Sequence, residues 1–456
     1  MAALFFISFI SVMAQPADDE QKADSSSLLG AFKHGKTEGH FRYFFMATDN
    51  KKGLTDYHAH ATGGGLRFVS APFHGFQLGI GGFFIFNTGS SDLLKPDPVT
   101  GQLNRYEIGL FDIEHPSNKN DIDRLEELFI RYEWRNQSIK FGKQIINTPF
   151  INPQDGRMRP TGVEGVWYQK KSERTQINAG VLWKISPRST VRWFNVGESI
   201  GVYPQGVSES GSPSAYKNNL NSNYVALFGI TQKLNNRLKI QLWEQLVDQM
   251  FNTVLLQADQ DFGSNESAHA YTAVQGIMQQ SLKDGGNTSP ALTYMQKGST
   301  ALSFGVRVGY KNKEEDLSLN YNRITGNGRY LMPREWGRDP FFTFLPRERN
   351  EGFGNLNAWM LQYKRKYGKS GLQSQFGLGY YQLPDVLDAR LNKYGMPSYT
   401  QFNADVQYNF SGALNGAQLQ FLYVYKGGNG NTYNNDKYVI HKVNTSLFNL
   451  ILNYRF

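Results

Sequence analysis

Asp155, Arg157 and Arg159 fall close together in one segment, Phe141 to Gly165, which reads FGKQIINTPFINPQDGRMRPTGVEG and carries Glu164 just before its end. Each guanidinium could meet a carboxylate through a two-pronged, charge-assisted hydrogen bond. Pro149, Pro153 and Pro160 fix backbone dihedrals along the segment, and Asp155-Gly156 supplies a turn that can take positive φ. The segment therefore interrupts a strand with a stiffened, charged excursion. Asp155 and Glu164 could face a solute beside the arginines, or pair with them and pin the excursion to its surroundings.

Other reactive groups are dispersed. The eight histidines include His58 and His60, which alternate on one face of a strand and could share a metal. No third ligand accompanies them, so no metal site and no cofactor is expected. A membrane-barrel lipase or protease would need a His with a Ser or Asp in fixed relation, and no such setting is visible. Lys and Arg are scattered singly, with no basic cluster and no phosphate-binding glycine loop, which argues against nucleic acid.

Positioning falls to strands. In QFNADVQYNF, Phe402, Ala404, Val406, Tyr408 and Phe410 alternate with Gln401, Asn403, Asp405, Gln407 and Asn409. A period of two is the signature of a strand with one apolar and one polar face. It recurs in AQLQFLYVYK, in SLFNLILNYRF, and upstream in HFRYFFMA, LFIRYEW, INAGVLWK, RLKIQLWEQ, LSFGVRVGYK and GLQSQFGLGYYQ. Segments of about ten residues suit tilted membrane strands, and aromatics gather at their ends. The mature chain has room for roughly 16–20 of them, enough to enclose an aqueous lumen. Short turns such as Asn235-Asn236 alternate with long polar loops, as in outer-membrane barrels whose long loops lie outside.

Composition agrees with that fold. Of the 456 residues 14% are aromatic, yet mean hydropathy is −0.49, as expected when one face of each strand meets lipid and the other water. Residues 2–14 form an apolar run ending in Val12-Met13-Ala14, read as an export signal over 1–14 with mature Gln15. Residues 15–37 form a lead segment, and 38–456 an all-β transmembrane antiparallel barrel of about 18 strands. The chain has no cysteine, which excludes disulfides and a lipid-anchored N-terminus. A TonB-dependent receptor would need a plug domain ahead of the strands, and strands begin by His40.

Phe141, Gly142, Gln144, Thr148, Pro149, Asp155, Arg157, Pro160 and Gly165, preceded by LEELFIRYEWRNQSIK, resemble the OprD-like family of substrate-selective outer-membrane porins. FRYFFMATDN resembles that family's first strand more loosely. The resemblance implies a single-chain barrel in the outer membrane of a Gram-negative cell whose third extracellular loop, about 146–162, folds inward and narrows the pore. The C-terminal Phe456, two residues after Tyr454, resembles the signal by which barrel-assembly machinery recognises such chains.

On that reading the constriction comprises Asp155, Arg157, Arg159 and Glu164. Extrapolated alternation lines the pore wall with Arg42, Arg67, Arg131, Lys184, Lys239, Arg307, Lys311, Lys426 and Arg455, against fewer acids such as Glu127, Glu133 and Asp405. With a formal charge of +9, such a wall would concentrate small carboxylate-bearing solutes: amino acids, peptides or organic acids. A general, non-selective porin is the alternative. Basic residues outside the pore could contact outer-membrane lipid and lipopolysaccharide phosphates, and barrels could stand alone or as a homo-trimer. The stretch from Asn327 containing PREWGRDP and LPRERNEG, dense in opposite charges, reads as a folded lid at the extracellular mouth.

Overall fold

The structure, a computed structural model, describes residues 25–154, 156–263 and 268–456. The expected export signal and Asp155 lie outside the described residues. Period-two alternation becomes a closed antiparallel sheet. Its strands are β1 (Lys36–Asp49), β2 (Tyr57–Val69), β3 (Phe76–Ser90), β4 (Ile122–Trp134), β5 (Gln137–Gln144), β6 (Gly162–Lys171), β7 (Thr175–Ser186), β8 (Phe194–Asn195), β9 (Val225–Lys233) and β10 (Leu238–Val247). They continue as β11 (Phe251–Asp261), β12 (Ala268–Ser281), β13 (Thr300–Asn312), β14 (Glu315–Ile324), β15 (Leu356–Lys366), β16 (Leu372–Gln382), β17 (Tyr399–Asn409), β18 (Ala417–Gly428) and β19 (Thr445–Arg455). β8 is a two-residue stub on the end of β7, which pairs with β9 directly; the other eighteen form the wall. Pairing of β1 with both β2 and β19 closes the ring, so no edge is left unpaired.

Closure explains the two faces. Along β17, Gln401 and Asn403 are buried in the lumen while Phe402 and Tyr408 are exposed on the outside, as lipid requires. Outward aromatic pairs gather at the short-turn end, among them Phe76 with Tyr132, Tyr132 with Trp134, Tyr408 with Phe410 and Tyr454 with Phe456. They form the girdle expected at a membrane interface.

The long loops all leave one end, and several of them turn into the barrel, among them the third and the seventh. The third, 145–161, separates β5 from β6, and the seventh, 325–355, separates β14 from β15. In both places the wall makes room. Gly305 of β13 and Gly377 of β16 face the seventh loop, where an added Cβ would lie 3.2 Å from Phe342 and 2.6 Å from Leu345. Gly142, with φ 115°, bends β5 as it enters the third loop, where a Cβ would fall 2.3 Å from the Leu128 carbonyl oxygen. Only glycine fits that turn of the chain.

Candidate functional site

The third loop begins with a local knot. Thr148 accepts the Ile151 amide on its hydroxyl at 2.9 Å while its own amide donates to the Ile151 carbonyl at 2.9 Å, and the intervening Pro149 holds the turn. Phe150 and Ile151, both essentially inaccessible, then join the apolar cluster inside the barrel. Side chains then fasten the loop to its surroundings.

Arg159 turns away from the passage. It is fully buried, donates through Nη2 to the Ile122 carbonyl at 3.0 Å and through Nη1 to the Phe83 carbonyl at 3.5 Å, and lies 3.7 Å from Glu126. Burial and the neighbouring Arg124 push its guanidinium down to about 9, against the pull of Glu126. It remains charged at neutral pH and braces the loop to β3 and β4. Arg124 completes the brace: it pairs with Glu126 at 2.8 Å and donates to the Pro160 carbonyl at 2.6 Å and Ser186 Oγ at 2.8 Å.

Arg157 is placed differently. Its Nη1 donates to the Gly156 carbonyl at 2.6 Å, and its Nε is buried without a hydrogen-bond partner. It lies over Gly109, where any Cβ would come 2.5 Å from Nε. Burial together with Arg347 and Arg349 pushes it down to about 10, while Tyr203 and Glu107 pull the other way. Arg349 is likewise pushed down to about 10 by burial and by Arg188 and Arg334. Arg188 donates to the Gln154 carbonyl at 3.4 Å, Arg347 to the Gly156 carbonyl at 3.3 Å, and Arg349 to Gln154 Oε1 at 2.6 Å. Four guanidinium groups from three loops thus converge on Gln154 and Gly156.

Glu164 departs from expectation. Register pairs it with Lys143, and Lys143 with Leu128, whose side chain is half exposed on the outer wall. The adjoining Gln144 and Val163 are buried inside, so Glu164 and Lys143 share the outer face. There Glu164 forms an ion pair with Lys143 and accepts from Trp183 Nε1 at 3.1 Å. Lys184, opposite Glu164 across β6 and β7, lies on the same outer face. A register shift between Glu164 and Gly165 reverses the alternation from which Lys184 was extrapolated inward.

The remaining wall cations face the lumen. Arg42 is wholly buried over the Phe44 ring; Arg67 pairs with Glu127 at 2.6 Å and Glu38 at 3.3 Å; Arg131 bonds Gln77 and lies 3.2 Å from Glu133. Lys239 faces Asp259 and Lys311 faces Asp261, each at 3.3 Å. Arg307 donates to Asn320 at 2.5 Å, and Arg455 stands opposite the inward His40. These side chains are counter-ions and loop supports as much as a ladder. His58 and His60 point outward, where Tyr43 bonds His60 at 2.7 Å, and no group of three metal-ligating side chains occurs among the described residues.

The seventh loop is a folded body, but it sits within the lumen rather than over the mouth. Gln279 donates to the Leu331 carbonyl at 2.7 Å, Gln275 to Pro340 at 3.1 Å, Gln401 to Pro346 at 2.8 Å and Tyr381 to Thr343 at 2.7 Å. Inside it, Glu348 is ringed by Arg105 at 3.3 Å, Arg334 at 3.5 Å and Lys426 at 3.5 Å. Burial alone would raise that carboxyl; the three cations instead hold it at about 2. Asn152 ties the two loops, donating to the Arg338 carbonyl and accepting the Arg338 amide, both at 3.0 Å, while its own amide donates to Trp336. Sequence reasoning missed Arg188, Arg347 and Arg349 as members of the cluster. The dense Arg content of LPRERNEG was visible, but its meeting with residues 154–157 depends on a fold across the lumen.

An eighteen-stranded closed wall, apolar outside and polar within, narrowed by inward loops, defines an integral outer-membrane channel. The sequence model described as outer membrane porin, OprD family, matches residues 117–439. Solved structures with the same fold include Acinetobacter baumannii OccAB1 (14% identity, 93% of this chain and 97% of that one, TM-score 0.70). Pseudomonas aeruginosa OccD3 (15%, 93% and 92%, 0.68) and Pseudomonas aeruginosa OpdK with vanillate (13%, 94% and 100%, 0.71) are similar to it too. No curated protein sequence matches the chain. The chain belongs to the OprD family of outer-membrane porins.

Proposed function

We propose that this porin favours small solutes bearing a carboxylate, and that Arg157, Arg188, Arg347 and Arg349 form its selectivity cluster. The observation that carries this reading is their convergence on one short stretch of the third loop. Guanidinium groups held in a dry, narrowed passage attract a carboxylate more strongly than the same groups in water and fix its orientation by paired donors. OpdK, a structural neighbour, was captured with vanillate, itself a carboxylate, which supports the same solute class. Uptake on this reading is passive, with no enzymatic step, and Arg159 serves as a brace. Asp155, between Gln154 and Gly156, would compete with the solute for the cluster. Phe456 serves as the recognition end for barrel assembly, and lipopolysaccharide phosphates contact basic loop residues; association into trimers is a further reading of the family type.

The test is a reversal potential in planar bilayers under a salt gradient, with benzoate against choline as the permeant pair. Anion preference that falls in Arg157→Gln plus Arg349→Gln supports the proposal. Cation preference in the wild type, or anion preference unchanged in the double variant, overturns it, and equal permeation of both ions would mark a general porin.

A further inference from the structure

Ahead of the first wall strand, Leu28–Lys33 forms a short helix, α1, capped by Ser27, whose hydroxyl accepts the Gly30 amide at 3.0 Å. Two backbone hydrogen bonds fasten its segment to the turn between β2 and β3: Ala71 donates to Ala31 at 2.9 Å and Ser25 donates to Pro72 at 2.8 Å. Ala31 is buried beneath it. Phe32 stacks on Phe68 with ring centroids 6.1 Å apart and planes 7° off parallel. Phe68 alternates along β2 with Leu66, which is 62% exposed on the outside of the barrel, whereas Arg67 between them faces the lumen. The helix is therefore held against the outer wall, at the short-turn end.

A fastened helix on that side has an unusual surface. Leu28, Leu29 and Phe32 are 57%, 65% and 44% exposed, although Ala31 shows that the helix has a buried side to offer. Through Phe32 on Phe68 the helix joins the outward face of β2, on which Leu66 is exposed, and Phe76 and Phe456 are exposed at the same short-turn end of the barrel. Lys33 and His34 follow at the C-terminal end of α1 and are exposed as well. Apolar side chains next to a lysine, at the level of an aromatic girdle, suit the boundary between phospholipid headgroups and acyl chains.

We infer that α1 is an interfacial anchor whose Leu28, Leu29 and Phe32 insert into the periplasmic leaflet of the outer membrane, with phospholipid as the partner. The inference rests on continuity with the lipid-facing belt and is independent of which solute the channel takes. Its role would be to fix the height of the barrel's first strands in the bilayer and to guard the β1–β2 seam from water.

The chain lacks cysteine, so single labels are clean. Leu29→Cys and, separately, Leu28→Cys would carry an environment-sensitive fluorophore in the full-length protein, refolded into phosphatidylethanolamine and phosphatidylglycerol vesicles. Folding would be verified by heat-modifiable migration in gels. Lys52→Cys, in an exposed extracellular loop, is the aqueous control. We expect blue-shifted emission, protection from iodide, and about twofold stronger quenching by a nitroxide near the lipid headgroup than by one deep in the acyl chain. Iodide quenching equal to that of the Lys52 label overturns the inference. So does protection from iodide without nitroxide quenching, which would mean that another part of the chain or a second copy covers the helix.

Discussion

The third and seventh loops enter the lumen from nearly opposite walls, yet they are secured by different physics. The third is short and is pinned to the wall: its Arg159 donates to backbone carbonyls of β3 and β4, and Arg124 of β4 donates in return to the Pro160 carbonyl. The seventh buries Trp336 and Tyr330 fully, and its Glu348 is enclosed by its own Arg334, by Arg105 of the loop between β3 and β4, and by Lys426 of β18. Wall glutamines then support it from below. Within the third loop Arg159 is a brace, whereas Arg157 meets Arg188, Arg347 and Arg349 around Gln154 and Gly156. The seventh loop divides its charges: Arg334 pairs with Glu348, while Arg347 and Arg349 reach across to the third loop.

The sharpest break in that contrast is Glu348→Ala. Arg105, Arg334 and Lys426 would lose their shared carboxylate, at a cost of about 3–5 kcal/mol, because removing one partner leaves buried charge uncompensated. Trypsin should then cut the folded protein at Arg347 or Arg349, where the wild type resists. Next in size, Arg157→Gln plus Arg349→Gln should lower the benzoate-to-choline permeability ratio by about tenfold, as expected when a focused cationic field is removed. Gel migration of the folded form should not change.

Arg159→Gln should act on stability before selectivity. Loss of its bonds to Phe83 and Ile122 should loosen the third loop by about 1–3 kcal/mol, read as added open-channel current noise with a permeability ratio closer to wild type than that of the double variant. Acid should act on the seventh loop. Glu348 sits near 2 in the folded protein against an ordinary value of 4.5, so its contribution is complete above pH 4.5 and is lost as pH falls toward 2. Gating noise should rise through that window and be insensitive to it in Glu348→Gln. The smallest effect expected is none: Lys184→Gln, on the outer wall, should leave the reversal potential unchanged.

The strands were legible because each rests on a local rule. Alternation at Phe402 to Tyr408 has one solution when one side is lipid and the other water. The third loop was legible through its prolines and its resemblance to a family, and its inward turn followed. Glu164 and Lys184 were misplaced because a local register shift between β6 and β7, at Glu164 and Gly165, breaks the alternation there, and nothing in the residue types announces it. Arg159 looked identical to Arg157 in sequence; only Glu126 and the carbonyls of Phe83 and Ile122, distant along the chain, distinguish a brace from a presented charge. Arg188, Arg347 and Arg349 were absent from the expected cluster for the same reason. Gln401 was read only as a polar position of the alternation, whereas with Gln275 and Gln279 it forms the shelf on which the seventh loop rests.

Asn152 gives the two loops a shared fate. Because one side chain answers both the amide and the carbonyl of Arg338, neither loop has a complete set of hydrogen bonds without the other. A chimera that borrowed the third loop from another porin would leave Arg338 stranded inside the barrel, and one that borrowed the seventh would orphan Asn152. The natural module for redesign, and for divergence between paralogues, is the pair exchanged together.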